Sequence, residues 1–147
     1  MMKVTLMLAD FAQVVGGKLY IMGGGWSITG PQPTPSAIAL KIEVPWTGTN
    51  QKHSFKLELL DPDFKPVAVP TPVGDAPVVV GGDFEVGRPA GLPAGTPIDL
   101  PFAVNIGALP LAPGKRYIWK LTIDGETHSD WQIAFSTRAP AQLIPAA

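Results

Sequence analysis

A chain of 147 residues with 46% apolar side chains can bury a domain-sized core without a metal or a disulfide. It has no cysteine, which excludes disulfides, thiolate nucleophiles, Cys-ligated zinc and iron–sulfur clusters. The net charge is −1 and the 11 basic residues are scattered, so the Lys/Arg footprint that neutralises nucleic-acid phosphates is missing.

Met1 to Leu8 is too short and too interrupted for a secretory h-region. No run approaches the ~18 apolar residues of a membrane span, so no membrane partner and a cytoplasmic origin are expected. The same opening segment alternates: Val4, Leu6 and Leu8 against Lys3, Thr5 and Met7, the period of a half-buried strand. A single helical turn is expected at Asp10 to Val15. Leu19 and Ile21 form a second short strand before Gly23-Gly24-Gly25. That triplet lacks the spacing of a phosphate loop and opens no helix, so it reads as a backbone corner at positive φ.

Thr29 to Ser36 is a Pro-rich loop. Strands follow at Ile38 to Val44 and at Phe55 to Leu59. Asp61 to Pro77 is expected as a second Pro-rich loop, with Asp61 opening a turn rather than binding calcium with Asp63, Asp75 and Asp83. Gly81-Gly82 reads as a bulge or tight bend ahead of a strand carrying Phe84 and Val86. Gly87 to Pro97 is the third loop. Strands resume at Leu100 to Ile106, Tyr117 to Ile123 and Trp131 to Phe135, the last two forming the most secure pair. Asp124-Gly125 supplies a hairpin turn. Lys115-Arg116, the one adjacent basic pair, reads as a solvated strand start. Leu111, Pro113, Gly114 and Tyr117 have the layout of a tyrosine corner.

With 17 prolines and 16 glycines breaking helices throughout, the expectation is one domain over 1–147. Its class is all-β, an Ig-like antiparallel β-sandwich of about eight strands with Greek-key type connections.

The opening LADFAQVVGGKLYIMGGGW (8–26) resembles that of an uncharacterised family of small bacterial and phage proteins. GDFEVGRPAGLPAGTPIDLPFAVNI (82–106) and APGKRYIWKLTIDGE (112–126) continue the likeness. The resemblance implies an Ig-like fold and brings no catalytic residues with it.

No residue stands out as catalytic, cofactor-binding or metal-ligating. His53 and His128 are the only histidines, and both are expected as exposed edge residues. No G-x-S-x-G elbow is present, and the 12 acids offer no reason to choose a glycosidase pair. Trp119 and Trp131 read as core. Trp26 and Trp46 lie at strand ends; together with Arg88 and Leu92 of the third loop they are the candidate partner-binding residues. Charged residues are only 16% of the chain, against a usual ~25%. The expected function is therefore non-enzymatic: an interaction module with a protein partner or with itself, as a phage-particle accessory or a cytoplasmic adaptor. A carbohydrate-binding module would need Trp26, Trp46 and Tyr20 exposed on one face.

Overall fold

The computed structural model describes residues 1–141, so the last six positions of the expected 1–147 domain lie outside the described residues. The chain is all-β. Its strands are β1 (Lys3–Val15), β2 (Lys18–Gly24), β3 (Ile28–Thr29), β4 (Ser36–Val44), β5 (His53–Leu60), β6 (Ala68–Thr71), β7 (Gly74–Pro77), β8 (Val79–Phe84), β9 (Ile98–Ile106), β10 (Arg116–Ile123) and β11 (Gln132–Thr137). A four-stranded sheet runs β2-β1-β4-β9 and a five-stranded one β3-β11-β10-β5-β8, while β6 and β7 pair alone. All pairs are antiparallel except the two-residue match of β3 with β11.

Alternation does the work the sequence promised. Ile38, Leu40, Ile42 and Val44 of β4 meet Leu57 and Leu59 of β5 and Trp119, Leu121 and Ile123 of β10 in one core. Each such side chain contributes about 1.5–3 kcal/mol by leaving water. Leu8, Trp131 and Phe135 extend this core. The β10–β11 pairing forms as expected, with Trp119 opposite Ile133. Asp124 and Gly125 both take positive φ, 50° and 78°, in a tight two-residue turn. Tyr117 Oη accepts from the Ala112 N–H at 3.0 Å and donates to the Ala112 carbonyl at 3.3 Å. The hydroxyl thus satisfies a backbone segment five residues upstream, as a tyrosine corner does.

Four expectations are corrected. Asp10 to Val15 is not helical; β1 runs on to Val15 and turns back through Gly16 and Gly17, whose φ values of 58° and 74° suit a two-residue hairpin loop. Pairing with β2 therefore overrides the helical reading of this stretch. The second Pro-rich loop holds the β6–β7 hairpin, with Pro70 and Pro77 on an isolated pair where a missing donor costs least. Gly81 and Gly82 are not a bulge or bend before a strand but lie inside β8, opposite Lys56 and Phe55, and Val86 falls beyond the strand's end. A Cβ on Gly82 would stand 3.3 Å from the Phe55 ring, and one on Gly81 3.1 Å from the Phe55 carbonyl. Close approach explains these glycines. Finally, eleven strands among the described residues exceed the eight expected, because β3, β6 and β7 are too short to show a period.

Candidate functional site

Two regions gather the residues that could carry function. The first lies where β4 ends. Pro45 leads into a 3-10 turn over Trp46–Gly48, and the Thr49 hydroxyl donates to the Trp46 carbonyl at 2.6 Å. Arg88 reaches this turn from the third loop. Its Nε donates to Thr49 Oγ1 at 2.7 Å and its Nη2 to the Trp46 carbonyl at 2.8 Å. Its guanidinium lies 4.0 Å from the centre of the Trp46 ring, a cation–π stack.

Beside it, β5 opens on His53. This ring is buried, at 7% exposure, against the expectation of an exposed edge residue. The reason is geometric: each nitrogen faces an oxygen. Nδ1 lies 2.6 Å from Asp124 Oδ2 and Nε2 lies 2.7 Å from the Gly48 carbonyl. Both oxygens accept, so the site is built for the doubly protonated ring, the imidazolium. Burial pulls its pKa down. The Gly48 and Asp124 hydrogen bonds and the nearby charges of Asp124 and Glu85 outweigh that and hold it above 6.5. Asp124 lies below its ordinary value, chiefly through its bond to His53 and then through the Ser54 N–H at 2.9 Å. A cleft of about 240 Å³ lies alongside, lined by Met1, Met2, Pro45, His53 and Trp131 among others. Chemically the pair is occupied: both ring nitrogens are committed within the chain. His128 is also not an exposed edge residue. It is half-buried against Trp131, with ring centres 4.5 Å apart.

The second region is the β1–β2 hairpin. Its far half extends beyond the β1–β4 pairing, which ends at Ala9. Gly23, at φ 61°, bends β2 there, and a Cβ on Gly24 would stand 2.7 Å from the Ile21 side chain. The bend sets Ala12 and Leu19 against Ala9, Ala37, Ala39 and Ala103, with Ala12 fully buried. Four alanines give the approaching backbone room. Asn105 of β9 locks the contact: its Nδ2 donates to the Ala12 carbonyl at 2.7 Å, and its Oδ1 accepts from the Ala12 N–H at 3.2 Å. The opposite face stays open. Phe11, Val15, Tyr20 and Met22 are exposed by 43%, 53%, 51% and 66%. Phe11 sits directly across from Met22, and Gln13 across from Tyr20.

Of the partner-binding candidates, Trp46 and Arg88 are brought together, and Leu92 is exposed on the same loop as Arg88. Trp26 lies elsewhere. It meets Phe135 edge-on at 6.3 Å and lines a 40 Å³ cavity with Pro31, Thr34 and Ser36 at the start of β4. The nine residues of β4 separate it from Trp46, a span of about 30 Å. Trp26, Trp46 and Tyr20 therefore form no single platform. Sequence reading passed over Asn105, Phe11 and Met22. The signal for Phe11 was present, in Phe11, Gln13 and Val15 running at period two into Gly16-Gly17.

Among the described residues no group of three or more His, Asp or Glu could hold a metal, and no helix is long and apolar enough to cross a membrane. Neither the curated proteins nor the solved structures include a match to this chain. A family model does match: it spans residues 4–136, from the start of β1 into β11, and the chain accordingly belongs to DUF6941, a family of unknown function.

Proposed function

We propose that this chain is a non-enzymatic interaction module that works through protein–protein contacts, and that the open face of the β1–β2 hairpin is its contact surface. One observation carries the reading. Phe11, Val15, Tyr20 and Met22 are exposed side by side on a hairpin held in place by Ala12, Leu19 and Asn105. Grouped exposed apolar side chains on a fixed support mark an interaction site, whereas single ones are ordinary. Fixing the hairpin in advance lowers the ordering cost of binding. The two sheets around one core are read as the layers of an Ig-like sandwich that displays this hairpin. The absence of an enzymatic role is supported by the commitment of His53 to Asp124 and Gly48. The more specific setting, an accessory of a phage particle, rests on the resemblance of the opening and central segments.

Site-specific photo-crosslinking in the native source tests this. A photoreactive residue at position 20 is expected to give a discrete protein adduct, while one at Val73, 97% exposed on the β6–β7 turn, gives none. Phe11→Ser with Met22→Ser should abolish the adduct at 20. Equal labelling at both positions, or none at position 20, sinks the reading.

A further inference from the structure

The hairpin also has a free edge, and its backbone says what fits there. The β2 strand ends its sheet. Ala12 turns both its N–H and its C=O to Asn105, and so away from β2. In an antiparallel pair, residues directly opposite share that orientation. Ile21 is opposite Ala12, so its N–H and C=O point outward from the sheet. Leu19, two positions back, does the same.

The other long edges are blunted in ways that β2 is not. Pro101 interrupts β9, Gly81 and Gly82 thin β8 in mid-strand, and β3 has only two residues. These are devices that discourage edge-to-edge pairing. The glycine pair of β2, Gly23-Gly24, lies instead at its end and leaves residues 18–22 intact. On β2 only Lys18 is charged, and proline is absent from Lys18–Gly24.

We propose that β2 is self-complementary: two copies of this chain pair their β2 strands antiparallel about Tyr20, joining their four-stranded sheets into one. This rests on the reading of the hairpin as the contact surface, and it names the partner. In this register Leu19 lies opposite Ile21 of the second copy, the two residues whose backbone groups are turned outward. Each such match exchanges two N–H···O bonds, and the two-fold symmetry makes the match twice. The two Tyr20 rings become a directly opposed pair on the exposed face, a favourable aromatic contact.

Charge then selects the second copy over other edges. Lys18 falls opposite Met22 of the second copy, next to Gly23. The Asp10 carboxylate lies over that glycine, carried across from β1 toward the free edge. Among the described residues neither Lys18 nor Asp10 is in an ion pair. Self-pairing supplies each with the other, twice by symmetry.

Sedimentation velocity on the purified chain, at about 1 to 100 µM, tests this. The expected result is a species of twice the 15.5 kDa chain mass that grows with concentration. Lys18→Glu and Asp10→Lys should each weaken association by about fivefold or more, because each sets like charges face to face. An equimolar mixture of the two variants should recover it, since the mixed pair restores both contacts. Ile21→Lys, an edge charge that leaves Asp10 in place, should also give a monomer and covers the case where Asp10→Lys does not fold. A wild-type monomer throughout, or a dimer indifferent to Lys18→Glu and Ile21→Lys, overturns the proposal. If the wild type is monomeric yet position 20 still cross-links a different protein, self-pairing falls and the interaction reading stands. If the dimer persists through all variants and position 20 labels nothing, both fall.

Discussion

The end of the chain around His53 and the β1–β2 hairpin answer the same question in opposite ways. Around His53 the polar groups find their partners inside the molecule: Asp124 and Gly48 hold the ring, Thr49 and the Trp46 carbonyl hold Arg88, and Ser54 holds Asp124. On the hairpin the inner face is pinned at Ala12 and Leu19 by alanines and Asn105, with Val14 and Ile21 still 41% and 39% exposed, while the outer face and the β2 edge are left without partners. His53, Asp124 and Arg88 are therefore committed to structure. What the hairpin leaves exposed is apolar side chains and backbone. In a chain with so little charge, the place to look is where hydrogen-bonding capacity is unspent, not where titratable groups cluster.

The contrast breaks first at His53. Replacing it with alanine removes a buried ring and leaves the Gly48 carbonyl unanswered, an expected loss of about 2–3 kcal/mol. Urea midpoints read this directly. The pH dependence is sharper. The folded pKa of His53 is raised, so its contribution is complete below about 6.5 and is lost as pH rises through the folded value. Asp124 is lowered, so its contribution is present above 3.8 and is lost as pH falls through its folded value. The pair is thus at full strength between these limits. The wild type should lose stability from pH 6 toward pH 9, and His53→Gln should flatten that slope. An unchanged slope in His53→Gln would mean that the imidazolium is not the group responsible.

Asn105 tests whether the hairpin's inner face is held as firmly as the His53 end. Asn105→Ala removes two hydrogen bonds to one buried residue, for about 1–2 kcal/mol. Amide exchange at Ala12 should speed up by roughly the same free energy while that of Leu121 in β10 changes little. Exchange that rises uniformly would show that the hairpin opens only with the whole fold.

Much of this was legible in the sequence, and the exceptions have physical causes. Alternation identified β4, β5, β9, β10 and β11 because one face of each is buried, and Pro113-Gly114 with Tyr117 announced the corner that Ala112 completes. Alternation also marks Phe11, Gln13 and Val15, but there it points outward, and a period says which residues share a face without saying which face meets water. His53 eluded the reading because its partners lie 71 and five positions away, with no local spacing to betray them. Asn105 looked like the polar side of β9, and its role exists only because Gly23 bends the hairpin over the sheet. Trp46 and Arg88 stood in one set of candidates, yet nothing in a separation of 42 residues announces a stack.

Arg88 makes a smaller test of the closed end. Arg88→Ala should cost about 1 kcal/mol, the sum of an exposed cation–π contact and modest hydrogen bonds. Arg88→Lys should recover little, since an ammonium cannot reproduce the fork that serves Thr49 Oγ1 and the Trp46 carbonyl together. A stability restored by lysine would reduce Arg88 to a charge.

The smallest effect on stability is expected where the functional effect is largest. Phe11→Ser and Met22→Ser alter side chains that are 43% and 66% exposed and paired across the hairpin. Met22→Ser should shift stability by about 0.5 kcal/mol, and Phe11→Ser by about 1 kcal/mol because part of its ring is covered by the chain itself. The same changes remove apolar surface that a partner would cover, where single side chains of this kind cost about 1–2 kcal/mol or more when truncated. A stable variant that no longer associates separates the two regions by their roles, one holding the fold together and the other presenting it. If instead the double serine variant unfolds with the severity of His53→Ala, the outer face is part of the core in all but exposure, and the contrast between the two regions dissolves.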